Sequence, residues 1–315
     1  WPTCQAASEF TPPPETLSVP SGILSTMWAL YALMAALLTS FLPIINKRIL
    51  TTAEVAVVAW VPNALSLPVL LVITLALIGW PRVGGLFLLA VLASGVLNLV
   101  ATLVSTRALQ LADASLATPF LSFNPAFTLL LSSFTLREVP SVRGIVGVML
   151  IVVGAYLFQL REVGKGLLAP VRALAHQPGI LLAIGASFVW GLTPIFEKIA
   201  IQHTSPENPL MVAFATTLVT VVLLTPALWR RRTDLLDQLC WHRPLFGAAG
   251  LISGVAPLFG FSAIALGYVG YVTALFKLGA ILTVVWGALL LKEHGLRERL
   301  PATAVMVIGG LLIAL

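Results

Sequence analysis

The sequence predicts an all-α integral membrane protein whose ten transmembrane helices form two inverted five-helix repeats. Composition, the number of long apolar runs and an internal repeat carry that prediction. The 315 residues are 59% hydrophobic and only 10% charged, with a mean hydropathy of +1.01. Too few ionisable groups remain to cover a soluble domain of this size. The formal charge of +6 and the pI near 9.7 would suit nucleic acid, but the basic residues fall in short groups between apolar runs. They read as charges flanking a membrane, so no nucleic-acid partner is expected.

A hydrocarbon core about 30 Å thick needs roughly 20 apolar helical residues, and ten runs approach that length. The first, Ile23 to Ile45, ends before Asn46, Lys47 and Arg48. The second, Glu54 to Gly79, contains Pro62 and Asn63 and is followed by Trp80. The third, Gly84 to Thr106, carries Asn98 near its middle and is closed by Arg107, which invites a local ion pair with Asp113. The fourth, Ala114 to Leu136, contains "LSFNPAFTLLL", an amide and a helix breaker inside an apolar run. The fifth is Gly144 to Leu160, the sixth Gly179 to Ala200 and the seventh Asn208 to Trp229. Pro244 to Leu266 and Tyr268 to Leu291 follow, and a shorter Leu300 to Leu315 is last. Small residues recur at Gly144 and Gly147, at Gly250 and Gly254, and at Gly309 and Gly310, as expected of faces where helices approach closely.

Ahead of the runs, residues 1–22 form a polar, Pro-rich tail without Lys or Arg. The chain starts at Trp1 instead of Met, which suggests processing or trimming of a longer precursor. Cys4 and Cys240 sit in unrelated contexts, so neither a metal site nor a disulfide framework is indicated.

The chain repeats itself. "LPIINK" at Leu42 to Lys47 resembles "TPIFEK" at Thr193 to Lys198, and "SGV" at Ser94 recurs at Ser253. "LREVPSVRG" at Leu136 resembles "LKEHGLRER" at Leu291, aligning Glu138 with Glu293. Matches in the same order at nearly one offset mark a duplication. Five spans precede the second copy, and an odd number forces the halves into opposite orientations. The predicted organisation is a first repeat over 23–160, a connecting loop over 161–178 and a second repeat over 179–315.

Polar residues near mid-membrane need a reason, because each is costly there. Asn63, Asn98, Asn124 and Lys277 all fall near the middles of their runs. A lysine at the centre of a span costs about 2.5 to 3.5 kcal/mol on insertion scales. Lys277 therefore either faces a water-filled cavity, where it attracts a carboxylate or phosphate or exchanges a proton, or is held by backbone carbonyls or an acid. Asn63 follows Pro62 and Asn124 precedes Pro125; each amide can satisfy the carbonyl a proline frees, bond across helices, or bind a ligand. Trp60 and Trp190 are candidate cavity walls or core aromatics. The repeat-related pairs Asn46 with Lys47 and Glu197 with Lys198 are either gates opening on opposite sides or interfacial anchors.

No HExxH, GxSxG or phosphate-binding loop is present, and no pair of intramembrane aspartates. No enzyme, cofactor or metal is expected, and no ATP site is encoded, so any active transport would draw on a gradient.

The stretches from Ala108 to Phe158 and from Ala274 to Leu315 each pair a small-residue-rich helix with an apolar run closing in an acid, Glu138 or Glu293, and a last helix bearing glycines. In this they resemble the EamA-like ten-helix members of the drug/metabolite transporter superfamily, over essentially Leu24 to Leu315. The resemblance implies a central cavity built largely from the first four helices of each half. Carried onto this sequence, the cavity takes Asn63, Asn98, Asn124, Trp190 and Lys277. It implies gradient-driven transport or exchange of a small organic metabolite, such as an amino acid, an organic acid or a phosphorylated solute, by alternating access. The alternative is a transporter-like accessory or structural subunit. Expected partners are a small-molecule solute and membrane lipid, with a homodimer or larger membrane assembly compatible with the sequence. The membrane would be a bacterial inner membrane or, for a processed precursor, that of an organelle or plastid. Most of the 18 basic residues, among them Lys47, Arg161, Arg230 and Arg297, follow odd-numbered runs. By the positive-inside rule both termini are outside, whereas members of the resembled family usually place both in the cytoplasm.

Overall fold

The computed structural model describes residues 21–49, 53–77, 79–111, 120–160, 178–229, 239–291 and 296–314. The Pro-rich tail, Cys4, the expected Arg107–Asp113 pair and Glu293 therefore lie wholly or partly outside the described residues. In the first half the helices are α1 (Ser21–Thr39), α2 (Leu42–Ile49), α3 (Val55–Leu77), α4 (Gly85–Leu111), α5 (Asn124–Thr135) and α6 (Val142–Leu160). In the second they are α7 (Pro178–Gln202), α8 (Pro209–Trp229), α9 (Arg243–Leu266), α10 (Val269–Phe276), α11 (Gly279–Leu291) and α12 (Leu296–Ala314).

Seven stretches of helix among the described residues are long and apolar enough to cross a membrane, and Val142–Leu157 and Pro301–Ala314 are shorter apolar helices. Large apolar side chains such as Leu88, Phe134 and Val142 point outward and are exposed, the arrangement that lipid rewards. The core is filled by smaller residues and a few rings, including Ala32, Val212, Ala263, Val272 and Leu275.

Close approach of helices is set by the small residues. A Cβ on Gly147 would stand 2.7 Å from the Gly309 carbonyl, and one on Gly309 would stand 2.6 Å from the Gly147 carbonyl, so α6 and α12 meet backbone to backbone. Gly250 and Gly254 of α9 admit Leu65 and Val69 of α3 in the same way. At one end of the bundle a short antiparallel pair joins β1 (Arg82–Val83) to β2 (Thr204–Ser205). There Asn208 caps α8, its Oδ1 accepting the Met211 N–H at 2.9 Å.

Three of the runs read as single helices are interrupted. The first stops at Thr39 and resumes at Leu42; the fourth turns at Ser122 and Phe123, and α5 starts at Asn124; the ninth turns at Lys277 and Leu278. The latter two breaks are repeat-related. Phe123 N–H bonds to Phe120 O at 3.2 Å and Leu278 N–H to Leu275 O at 3.0 Å, the tighter i to i−3 pattern in both halves.

Pro43 and Pro194 occupy equivalent repeat positions with different outcomes. A proline inside a helix leaves the carbonyl four residues back without a donor. In α7 that carbonyl belongs to Trp190, and the Thr193 hydroxyl donates to it at 2.9 Å. The helix runs on through Pro194. In the first half the residue before Pro43 is Leu42, which has no hydroxyl, and α1 ends at Thr39.

Candidate functional site

The two broken segments are each tied to the first helix of the opposite half by a threonine. Thr128 Oγ1 lies 2.9 Å from Asn124 O and 3.0 Å from Gly191 O. Thr283 Oγ1, one repeat later, lies 3.1 Å from Gly279 O and 3.0 Å from Ser40 O. The hydroxyl thus links its own helix to a carbonyl of α7 in one half and of the α1–α2 break in the other. Trp286 adds a second tie, donating to Ser40 Oγ at 2.9 Å and stacking on Phe41 with ring centroids 4.8 Å apart.

Lys277 sits at the break itself, as the residue that closes α10. It lies within the apolar span Val269–Trp286, about 12 Å from the start of α10 at 1.5 Å per residue. Its side chain is half-buried, and among the described residues it makes no ion pair or side-chain hydrogen bond. On the equivalent break, Asn124 opens α5 ahead of Pro125, and its side-chain Oδ1 is buried without a hydrogen-bond partner. The segments touch at Gly270, where a Cβ would stand 2.6 Å from Leu129 Cα.

Asn63 and Asn98 come together. With Thr102 and Thr220 they line a cavity of about 320 Å³ between α3, α4 and α8, whose apolar wall is Ala59, Leu99, Leu223 and Leu224. Asn63 Nδ2 donates to its own helix at Ala59 O, 2.8 Å away, leaving its side-chain oxygen available. Lys277, Asn124 and Trp190 are not among these lining residues. Trp190 is half-buried on α7, and Trp60 pins α3 to α8 through Val221 O at 3.2 Å and Thr225 Oγ1 at 3.1 Å.

The two acidic and basic candidates on α7 part company. Lys198 Nζ donates to Glu138 Oε1 at 2.7 Å and to Gly267 O at 2.6 Å. Glu138 Oε2 accepts the Val269 N–H at the start of α10 at 3.0 Å, where the helix dipole favours an anion. One ion pair thereby joins the chain after α5, the last turns of α7 and the α9–α10 junction. Glu197 instead accepts the Ser94 hydroxyl of α4 at 3.1 Å. Asn46 lies in α2 with its Oδ1 buried and unpartnered; Lys47 is also in α2, its side chain outside the described set.

Ser94, Thr102, Thr220, Thr128 and Thr283 were not singled out by sequence as site residues. The signal was available for one group: Ser94, Asn98 and Thr102 follow at four-residue spacing and share one face of α4.

The sequence pattern of the EamA-like transporter family matches residues 26–160 and again residues 177–315. No curated protein matches the chain. A solved structure described only as a crystal structure of a protein shares 16% identity at a TM-score of 0.73, with 92% of this chain and 99% of that one covered. At that identity the likeness speaks to fold alone.

Proposed function

Since this chain belongs to the EamA-like transporter family, within the drug/metabolite transporter superfamily, we propose that it carries a small organic solute bearing a carboxylate or phosphate across its membrane. The observation that carries the reading is Lys277: a lysine inside an apolar span, at a helix break, with no acid paired to it among the described residues. An unpaired ammonium in such a place is costly unless it meets water or an anion, and a solute carboxylate or phosphate supplies the charge the protein withholds. Unwound backbone at mid-membrane is tolerated where it lines a cavity.

The reading takes the chain as ten crossings in two inverted halves. The β1–β2 pair joins the loop between α3 and α4 to the loop between α7 and α8. These are the second loop of one half and the first of the other, as opposite orientations require. The broken α1–α2 against the continuous α7 gives two equivalent helices in different states. Alternating access then moves one half against the other about these unequal helices, with the Lys198–Glu138 pair closing one end. Asn63 and Asn98 supply hydrogen bonds to the solute's polar groups, Asn124 stands at the first-half break, and Trp190 lies on the continuous α7 next to Gly191, whose carbonyl holds Thr128.

Counterflow in proteoliposomes tests the proposal, with labelled succinate, glutamate, glucose 6-phosphate and a nucleotide sugar followed in turn. Saturable exchange of an anionic solute supports it. A flat panel from monodisperse protein would favour an accessory subunit of a larger membrane assembly instead.

A further inference from the structure

Glu197 is a carboxylate the solute site does not use. It lies in the span Pro178–Gln202, and its hydrogen-bond donor Ser94 lies in the span Gly85–Ser105. Among the described residues it has no cationic partner, because the adjacent Lys198 reaches the other way to Glu138. The elements packed against α7 bring no second charge to it. α5, α8 and α10 contain no Asp, Glu, Lys or Arg; α4 carries only Arg107 and α9 only Arg243, each near the opposite end of the bundle. His203, just past α7, turns its Nδ1 to Ile199 O at 2.8 Å, and Tyr271 of α10 turns its hydroxyl to Ser141 N at 2.8 Å. Lys277 follows α10 and makes no ion pair with Glu197.

Two features give this carboxylate a use. A serine hydroxyl is both donor and acceptor, so the Ser94–Glu197 bond can persist whether the carboxyl is ionised, accepting from Oγ, or protonated, donating to it. Ser94 also begins the polar face of α4 that continues through Asn98 and Thr102, both of which line the cavity. Successive residues on that face are about 6 Å apart, a spacing water and hydroxyls can bridge.

We infer that Glu197 is a proton-binding site, loaded and unloaded through the Ser94, Asn98 and Thr102 face of α4, which couples solute movement to protons. The step is a simple protonation: a hydronium ion in the cavity gives its proton to the carboxylate and becomes water, and the carboxylic acid later returns that proton to a water molecule on the other side, forming hydronium there. The inference names the coupling ion for the transport proposed above and rests on that reading.

Dicyclohexylcarbodiimide, which adds to protonated carboxyl groups in apolar surroundings, tests the site without any solute. The full chain in detergent micelles is treated across a range of pH and the adducts are mapped by mass spectrometry. A stable adduct on Glu197 that declines as pH rises is expected, with none on Glu138; absence of the Glu197 adduct at every pH from folded protein overturns the site. In proteoliposomes, Glu197→Gln should keep counterflow of the labelled succinate, glutamate or glucose 6-phosphate that the wild type exchanges, and lose uptake driven by a pH gradient at least tenfold. Undiminished gradient-driven uptake in that variant overturns the coupling. If the wild type exchanges none of these solutes, the transport reading fails, while the adduct on Glu197 still decides the proton site.

Discussion

Lys198 and Glu138, 60 residues apart in sequence, meet at 2.7 Å with side chains only 12% and 7% exposed. Each has a further backbone partner, Gly267 O for the ammonium and Val269 N–H for the carboxylate. Removing one member of a buried pair strands the other, at about 3 to 5 kcal/mol. Lys198→Met should therefore lower the thermal midpoint in detergent clearly, and the double variant with Glu138→Gln should recover part of the loss. Equal melting of Lys198→Met and wild type would show that the pair does not hold this end of the bundle.

Thr193 supports the proline that its repeat counterpart lacks. In Thr193→Val the shape is kept but the Trp190 carbonyl loses the hydroxyl at 2.9 Å, and leaving a buried acceptor unsatisfied costs about 1 to 3 kcal/mol. Thermal unfolding is expected to register a loss of that size. Thr220→Val, where Thr220 bonds only its own i−4 carbonyl at 2.9 Å, is the comparison that should melt near the wild type.

The α6–α12 seam admits no side chain. Gly147→Leu would drive a branched side chain into the Gly309 carbonyl and Ile313, and overpacking of this kind costs about 1 to 3 kcal/mol. Size-exclusion profiles after a heat ramp should show earlier aggregation, whereas Gly247→Leu, at a glycine whose Cβ meets nothing within 4 Å, should not.

Asn98→Leu replaces an amide lining the cavity of about 320 Å³ with an apolar group of similar size. Folding should be unaffected, since among the described residues the Asn98 side chain makes no hydrogen bond and its carbonyl, which accepts from Thr102, is kept. For a solute that bonds there, the half-saturation concentration in counterflow should rise about tenfold, the worth of one hydrogen bond of about 1.4 kcal/mol.

The membrane character and the duplication could be read from apolar length and repeated motifs. Among the described residues seven of the ten runs coincide with helical stretches long and apolar enough to cross a membrane and two with shorter apolar helices; the start of the fourth lies outside the described residues. The breaks were legible only in part. Pro125 announces one, since it cannot donate and sits comfortably in a first turn. Nothing local announces the break at Lys277, where "ALFKLGAIL" contains no proline. It goes with tertiary contact, as Gly279 lies against Ala36, whose carbonyl would be 3.0 Å from an added Cβ. Likewise Pro43 and Pro194 look alike in sequence, and the hydroxyl of Thr193 separates their fates. Counting along the runs puts Asn63, Asn98, Asn124 and Lys277 at one depth, yet of these the cavity between α3, α4 and α8 is lined by Asn63 and Asn98, because depth does not say which way a side chain faces. The Ser94–Glu197 bond was not, because it depends on how α4 and α7 are rotated against each other.

Lys277→Met in proteoliposome counterflow tests the central claim most directly. The account predicts a variant that stays monodisperse, melts like the wild type or higher, and loses exchange of the carboxylate or phosphate solute by at least a hundredfold. Exchange at the wild-type rate and affinity would contradict it, and would remove Lys277 from the solute site.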